Sequence, residues 1–226
     1  MKKSLLLGLA VLTVSMPLSA NAYDLSFNDI NPLFNYATNT QSANTTADAI
    51  AKSAANTIAN LNSQIASTDN SVQNSFLTLV SLLSSQKEAQ TMQSKLSAIT
   101  SNTATTQASK TNALSQLMNA YASSLVTNKS SVLSNISKLS ATEKTTLVNT
   151  LASLAQSEYN YLNIAGEYTK AAANAARLSQ NVTNVSNSLL AAQETATTIR
   201  NNAQALKNVL TQATNLAQAS GLSVKI

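Results

Sequence analysis

Apolar residues recur along this chain at alternating intervals of three and four, most persistently over residues 161–217. From Tyr161 the stations are Ile164, Tyr168, Ala171, Ala175, Leu178, Val182, Val185, Leu189, Ala192, Ala196, Ile199, Ala203, Leu206, Leu210, Ala213 and Ala217, and every one is apolar. This is heptad spacing, which places all of them on one face of a helix and demands a surface to bury it. Flanking apolar residues widen the stripe at its ends, through Ala165 and Ala172 on one side and Val209 and Leu216 on the other. From Ser179 to Asn202 the flanks are polar, and the stripe narrows to the two-residue seam typical of a coiled-coil contact. The narrow part, Val182, Val185, Leu189, Ala192, Ala196 and Ile199, is therefore a candidate partner-binding seam.

The same periodicity recurs upstream. Ala51, Ala54, Ile58, Leu61 and Ile65 form one seam, and Val72, Phe76, Leu79 and Leu83 resume it one helical position out of phase. Such a shift reads as a stutter or a break, with residues 68–71 either a turn or a polar patch within one long helix. Leu114, Met118, Tyr121, Leu125, Val132, Ile136 and Leu139 mark a further helical stretch. Ser140 and Glu143 have the spacing of a capping box, in which each side chain satisfies a backbone N–H at a helix start. Gly221 suits a left-handed helix stop. Two partitions fit: a single last helix over 141–219, or three helices of similar length over 45–99, 103–158 and 161–219. Both predict an all-α protein, an elongated antiparallel bundle of about three long helices with heptad, alanine-rich, coiled-coil-like packing. Strands are excluded because turns need Gly and Pro, and after Pro32 the chain has no proline and only Gly166 and Gly221.

The N-terminus changes the picture. Lys2 and Lys3, an apolar run over residues 5–14 and the segment Ala20-Asn21-Ala22 have the layout of a secretory signal peptide. The expected organisation is a cleaved signal over 1–22, an arm over 23–44, one helical bundle over 45–220 and a tail over 221–226. Export from a bacterial cell follows, to the periplasm or the exterior. The arm holds Tyr23, Phe27, Phe34 and Tyr36, four of the nine aromatic residues of the chain. They form a candidate docking arm, and they equally suit a tail folded back over the end of the bundle.

Composition removes most chemistry. With no Cys and no His, the chain lacks disulfides, thiol nucleophiles, the usual general base and the commonest metal ligand. No phosphate-binding loop, zinc-protease or serine-hydrolase motif occurs. Tyr159, Tyr161 and Tyr168 could line a ligand platform, but tyrosines at helical spacing more commonly serve the core. Losing Lys2 and Lys3 from fourteen basic residues leaves twelve, against nine acidic ones, all dispersed. That distribution does not favour nucleic acid, which selects clustered positive charge. No run approaches the roughly twenty apolar residues of an integral span; peripheral membrane contact stays open. No cofactor and no catalysis are expected.

The function expected is that of an exported structural or interaction protein acting through helix–helix contacts, with itself or with another envelope protein. One alternative is an α-helical pore-forming or secreted effector subunit. Another rests on layout alone: a signal peptide followed by long helices resembles the minor pilus subunits of type IV secretion machines, which would make the chain an accessory of such a machine.

Overall fold

The computed structural model describes residues 45–102, 107–178 and 182–224. Among them are six helices and no strand: α1 (Thr45–Leu83), α2 (Gln86–Ser101), α3 (Gln107–Thr127), α4 (Lys129–Lys138), α5 (Ala141–Leu178) and α6 (Val182–Ala219). The expected all-α class holds, but the elongated bundle of about three long helices does not. The predicted helices are divided, and at Ser85 and Ser140 a side-chain cap marks the start of a new helix.

α1 runs unbroken through residues 68–71, so the phase shift there is a stutter. The chain turns at Ser84 and Ser85. Ser85 adopts an extended backbone and its Oγ accepts from the Glu88 N–H at 3.3 Å, capping α2. Asn135 of α4 donates from Nδ2 to the Leu83 carbonyl at 2.9 Å, satisfying an oxygen that the end of α1 leaves without a helical partner. α3 and α4 are separated only by Asn128. The predicted box at Ser140 is present: the Ser140 N–H donates to Glu143 Oε2 at 2.8 Å and the Glu143 N–H donates to Ser140 Oγ at 3.3 Å. Donation from the Ser140 side chain, and then from its backbone, holds the Glu143 carboxyl below the usual range.

α5 then passes through residues 157–160 and Gly166 without a joint and ends at Leu178. Neither sequence partition placed a break there, because the apolar stations continue through it. At the far end of α6, the Gly221 N–H bonds to the Gln218 carbonyl at 2.9 Å and the Leu222 N–H to the Ala217 carbonyl at 3.0 Å. With Gly221 at φ +81°, this is a Schellman cap. It turns the chain back so that Val224 is buried against the core.

α5 sits at the centre, packed along α1 on one side and α6 on the other, and α6 also packs on α3. Side-chain pairs fix the directions. Asp69 of α1 meets Thr111, and Ser84 just past the end of α1 meets Tyr121, so α1 and α3 run parallel. Asn208 of α6 meets Asn119, and Ser115 meets the carbonyl of Asn201, so α6 runs the same way. Arg200 meets Thr169 and Lys207 lies beside Glu158, so α5 runs antiparallel to α6. Because Thr111 lies near the start of α3 and pairs with Asp69 well inside α1, the helices α1, α5 and α6 continue past the end of α3. Phe76 and Tyr121 join α1 to α3 edge-to-face, with centroids 5.2 Å apart and an interplanar angle of 85°. Such pairs contribute about 0.5–1.5 kcal/mol beyond the area they bury.

The two described glycines make opposite demands. A Cβ at Gly166 would meet nothing within 4 Å, whereas Gly221 occupies the left-handed region. Gly166→Ala is expected to stabilise the fold by about 1 kcal/mol through helix propensity, and Gly221→Ala to destabilise it by about 1 kcal/mol. Urea denaturation of both variants checks the pair; equal shifts of the same sign would contradict it.

Candidate functional site

The described stations of the long seam find their surface within the chain. Its α5 stations Tyr161, Ile164, Tyr168 and Ala171 are buried, and so are its α6 stations from Ala196 to Ala217. What reads as one stripe is the two inner faces of an antiparallel hairpin. Of the candidate partner-binding residues, Ala196 and Ile199 are 0 % and 1 % exposed and are covered by the protein's own helices. The side chains of Val182, Val185, Leu189 and Ala192 lie outside the described residues, as does the arm with Tyr23, Phe27, Phe34 and Tyr36. The flank is also wider than hydrophobicity suggests, because Thr195 and Asn202 are buried beside the seam.

Asn202 belongs to a polar layer through the middle of the bundle. Asp69 on α1 is 2 % exposed and accepts two side-chain hydrogen bonds, from Thr111 Oγ1 at 2.9 Å and from the Tyr161 hydroxyl at 2.5 Å. A carboxylate is strongly disfavoured in an apolar interior unless such donors surround it. Burial, the neighbouring Asp69 charge and the hydrogen bond to Asp69 push the Tyr161 phenol well above its ordinary value. The Asn202 carboxamide opposes this shift weakly from α6. Yet neither its Nδ2 nor its Oδ1 has a partner in hydrogen-bond geometry. The geometry decides the matter: proximity of the amide dipole favours the phenolate, but a directed bond is absent. Thr111 and Tyr161 are themselves buried, so the layer is closed to solvent and presents nothing to a substrate.

A second polar group closes the other end. Tyr121 shares a hydrogen bond with Ser84 at 3.1 Å, and Ser124 donates to Glu88 Oε1 at 3.2 Å. Burial raises the Tyr121 phenol well above the usual tyrosine range, against the lowering effect of Ser84. Glu158 on α5 is pushed upward by partial burial and drawn back by Lys207 of α6. Among the described residues no cluster of acidic side chains could hold a metal ion, and no helix is long and apolar enough to cross a membrane.

The three tyrosines of α5 do not form a platform. Tyr161 and Tyr168 point into the core, while Tyr159 is 65 % exposed. Leu162, one turn on, is 50 % exposed, and Val126 at the end of α3 is 58 % exposed. Sequence reasoning grouped Tyr159 with the two core tyrosines and passed over Leu162, because the dominant stripe runs on the opposite side of the same helix. The signal was present as a second set of heptad steps through α5.

Two outcomes follow from the polar layer. Tyr161→Phe removes one donor from a buried carboxylate and is expected to cost about 1–3 kcal/mol, whereas Asn202→Leu replaces two unpartnered polar atoms and is expected to be neutral or stabilising. Denaturant midpoints distinguish them, and a large loss for Asn202→Leu would show that the amide is bonded after all. The raised phenols give a pH dependence. In the unfolded chain a tyrosine ionises near pH 10, so the stability owed to Tyr121 and Tyr161 is complete below that pH and is lost as pH rises toward their folded values. Unfolding monitored by circular dichroism should show stability falling above about pH 10, less steeply in Tyr121→Phe and Tyr161→Phe.

No family model matches this chain, and neither does any curated protein or any solved structure.

Proposed function

We propose that this is an exported, non-catalytic bacterial protein that works through helix–helix contacts, as a structural or interaction component outside the cytoplasm. The signal-like N-terminus supports the location. The observation that carries the interaction reading is the outer face of α5, where Tyr159 and Leu162 stand exposed one turn apart on a helix already packed on both flanks. Large apolar side chains left in water on a rigid helix are a recurring mark of a contact surface. The polar clusters lend support from the other side. Asp69, Tyr161 and Tyr121, the groups with the most unusual environments, are engaged inside the bundle and inaccessible to a substrate.

A photo-crosslinking residue placed at Tyr159 or Leu162 in producing cells tests this. Discrete adducts are expected at both positions and not at Gln218, exposed at the end of α6. Absence of any adduct at either position would overturn the interaction reading.

A further inference from the structure

Through the exposed side of α5 runs a second heptad series, from Val148 to Ala173 in steps of four and three, with Tyr159 and Leu162 at its centre. Its stations are exposed or half-buried; Val148 and Ala155 pack partly on the core, Thr169 accepts from Arg200, and all but Gly166 and Thr169 carry apolar side chains. The steps read the same in both directions. Laid antiparallel on a copy of itself about an axis between Tyr159 and Leu162, the stripe therefore falls into register with itself. Tyr159 then meets Leu162 of the copy, Ala155 meets Gly166, Ala152 meets Thr169 and Val148 meets Ala173. The two bulky residues fill the centre, and small ones beside them let the helices approach. A Cβ at Gly166 would meet nothing within 4 Å among the described residues, which leaves room over it for a neighbour.

Charge points to the same arrangement. Lys170 borders the stripe near one end, in an ion pair with Glu167, and Arg200 reaches Thr169 from α6. In a parallel pair each of these cations would lie beside its own copy. In the antiparallel pair Lys170 lies about 28 Å along the axis from its copy, beyond the Debye length of ~8 Å. Lys170 falls opposite Asn149 of the copy, and Gln156 opposite Asn163. Glu158, nearest the axis, has Lys207 beside it. The helix dipoles also oppose favourably.

We infer that the outer face of α5 is a self-association surface, on which a second copy of this chain docks by antiparallel α5–α5 packing about the Tyr159–Leu162 centre. The stripe is about 38 Å long and about 10 Å wide. That is on the order of 400 Å² per copy, half of the ~800 Å² each partner contributes to a stable complex. The dimer is accordingly weak and concentration-dependent. This inference rests on the interaction reading and names its partner.

The absence of cysteine in the chain makes the test clean. Ala155→Cys and Gly166→Cys are prepared as separate full-length variants, shown to be folded by circular dichroism, then oxidised singly and as a mixture. The antiparallel pair brings residues 155 and 166 of different copies together, while like residues stand about 16 Å apart along the axis, too far for a disulfide. Covalent heterodimers only in the mixture are expected. Efficient homodimers from either variant alone, or no dimer in the mixture up to about 1 mM, would overturn the inference. Sedimentation should show reversible dimerisation of the unmodified protein, with Tyr159→Lys/Leu162→Lys weakening it at least about tenfold. A strictly monomeric protein whose residue 159 crosslinks to a different protein in cells would end the self-association inference and leave the interaction reading standing. A monomer with no adduct in cells ends both.

Discussion

The hydrogen bonds to Asp69 are the constraint on which the arrangement of the long helices turns. A carboxylate with 2 % exposure survives in a helical core only if donors surround it, and two of its donors come from different helices, Thr111 of α3 and Tyr161 of α5. Sliding either helix by one turn, about 5.4 Å, would leave the carboxylate buried with a donor missing. That penalty is larger than the small differences between alternative alanine packings, each methyl contributing under about 1 kcal/mol. Alanine-rich seams fit together in many registers. The polar layer selects one, much as a single buried polar residue fixes register in coiled coils.

α5 is a helix with two seams. The inner one is consumed by α1 and α6, and the outer one, from Val148 to Ala173, among the described residues touches the core only at Val148 and Ala155 and α6 at Thr169, leaving Tyr159 and Leu162 exposed at its centre. A helix flanked on two sides by close neighbours still shows a ridge to solvent, and here that ridge carries a tyrosine and a leucine where Ser, Asn or Gln would serve solubility better. The stability of the fold and its capacity for contact thus reside on opposite faces of the same element, which leaves the outer face free to change without disturbing the Asp69 layer.

Several features were legible in the residues because their causes are local. The absence of Gly and Pro excluded strands. Ser140 with Glu143 announced the start of α5, and Gly221 announced the end of α6. Ser85 with Glu88 carries the same signature and marks the start of α2; it was masked by the apolar run just before it and the lack of any Gly or Pro nearby, which suggested one continuous helix to residue 99. Asp69 looked like part of a turn because a charged residue among Thr, Asn and Ser is usually solvated. Its burial depends on Thr111 and Tyr161, residues 42 and 92 positions away, which no local pattern connects.

The sequence by itself determined the helical class, the caps and the existence of an apolar stripe from Tyr161 to Ala217, because periodicity and capping act within a turn or two of the chain. It left open what the stripe packs against. The heptad phase runs past Leu178 and into Val182 without a change, so nothing in it distinguishes one long helix with an external partner from two helices facing each other. Only the tertiary structure decided that, by dividing the stripe between two antiparallel helices and burying its stations from Tyr161 to Ala171 and from Ala196 to Ala217. The same event covered Ala196 and Ile199 with the protein's own helices and left Tyr159 and Leu162 exposed on the far side of α5.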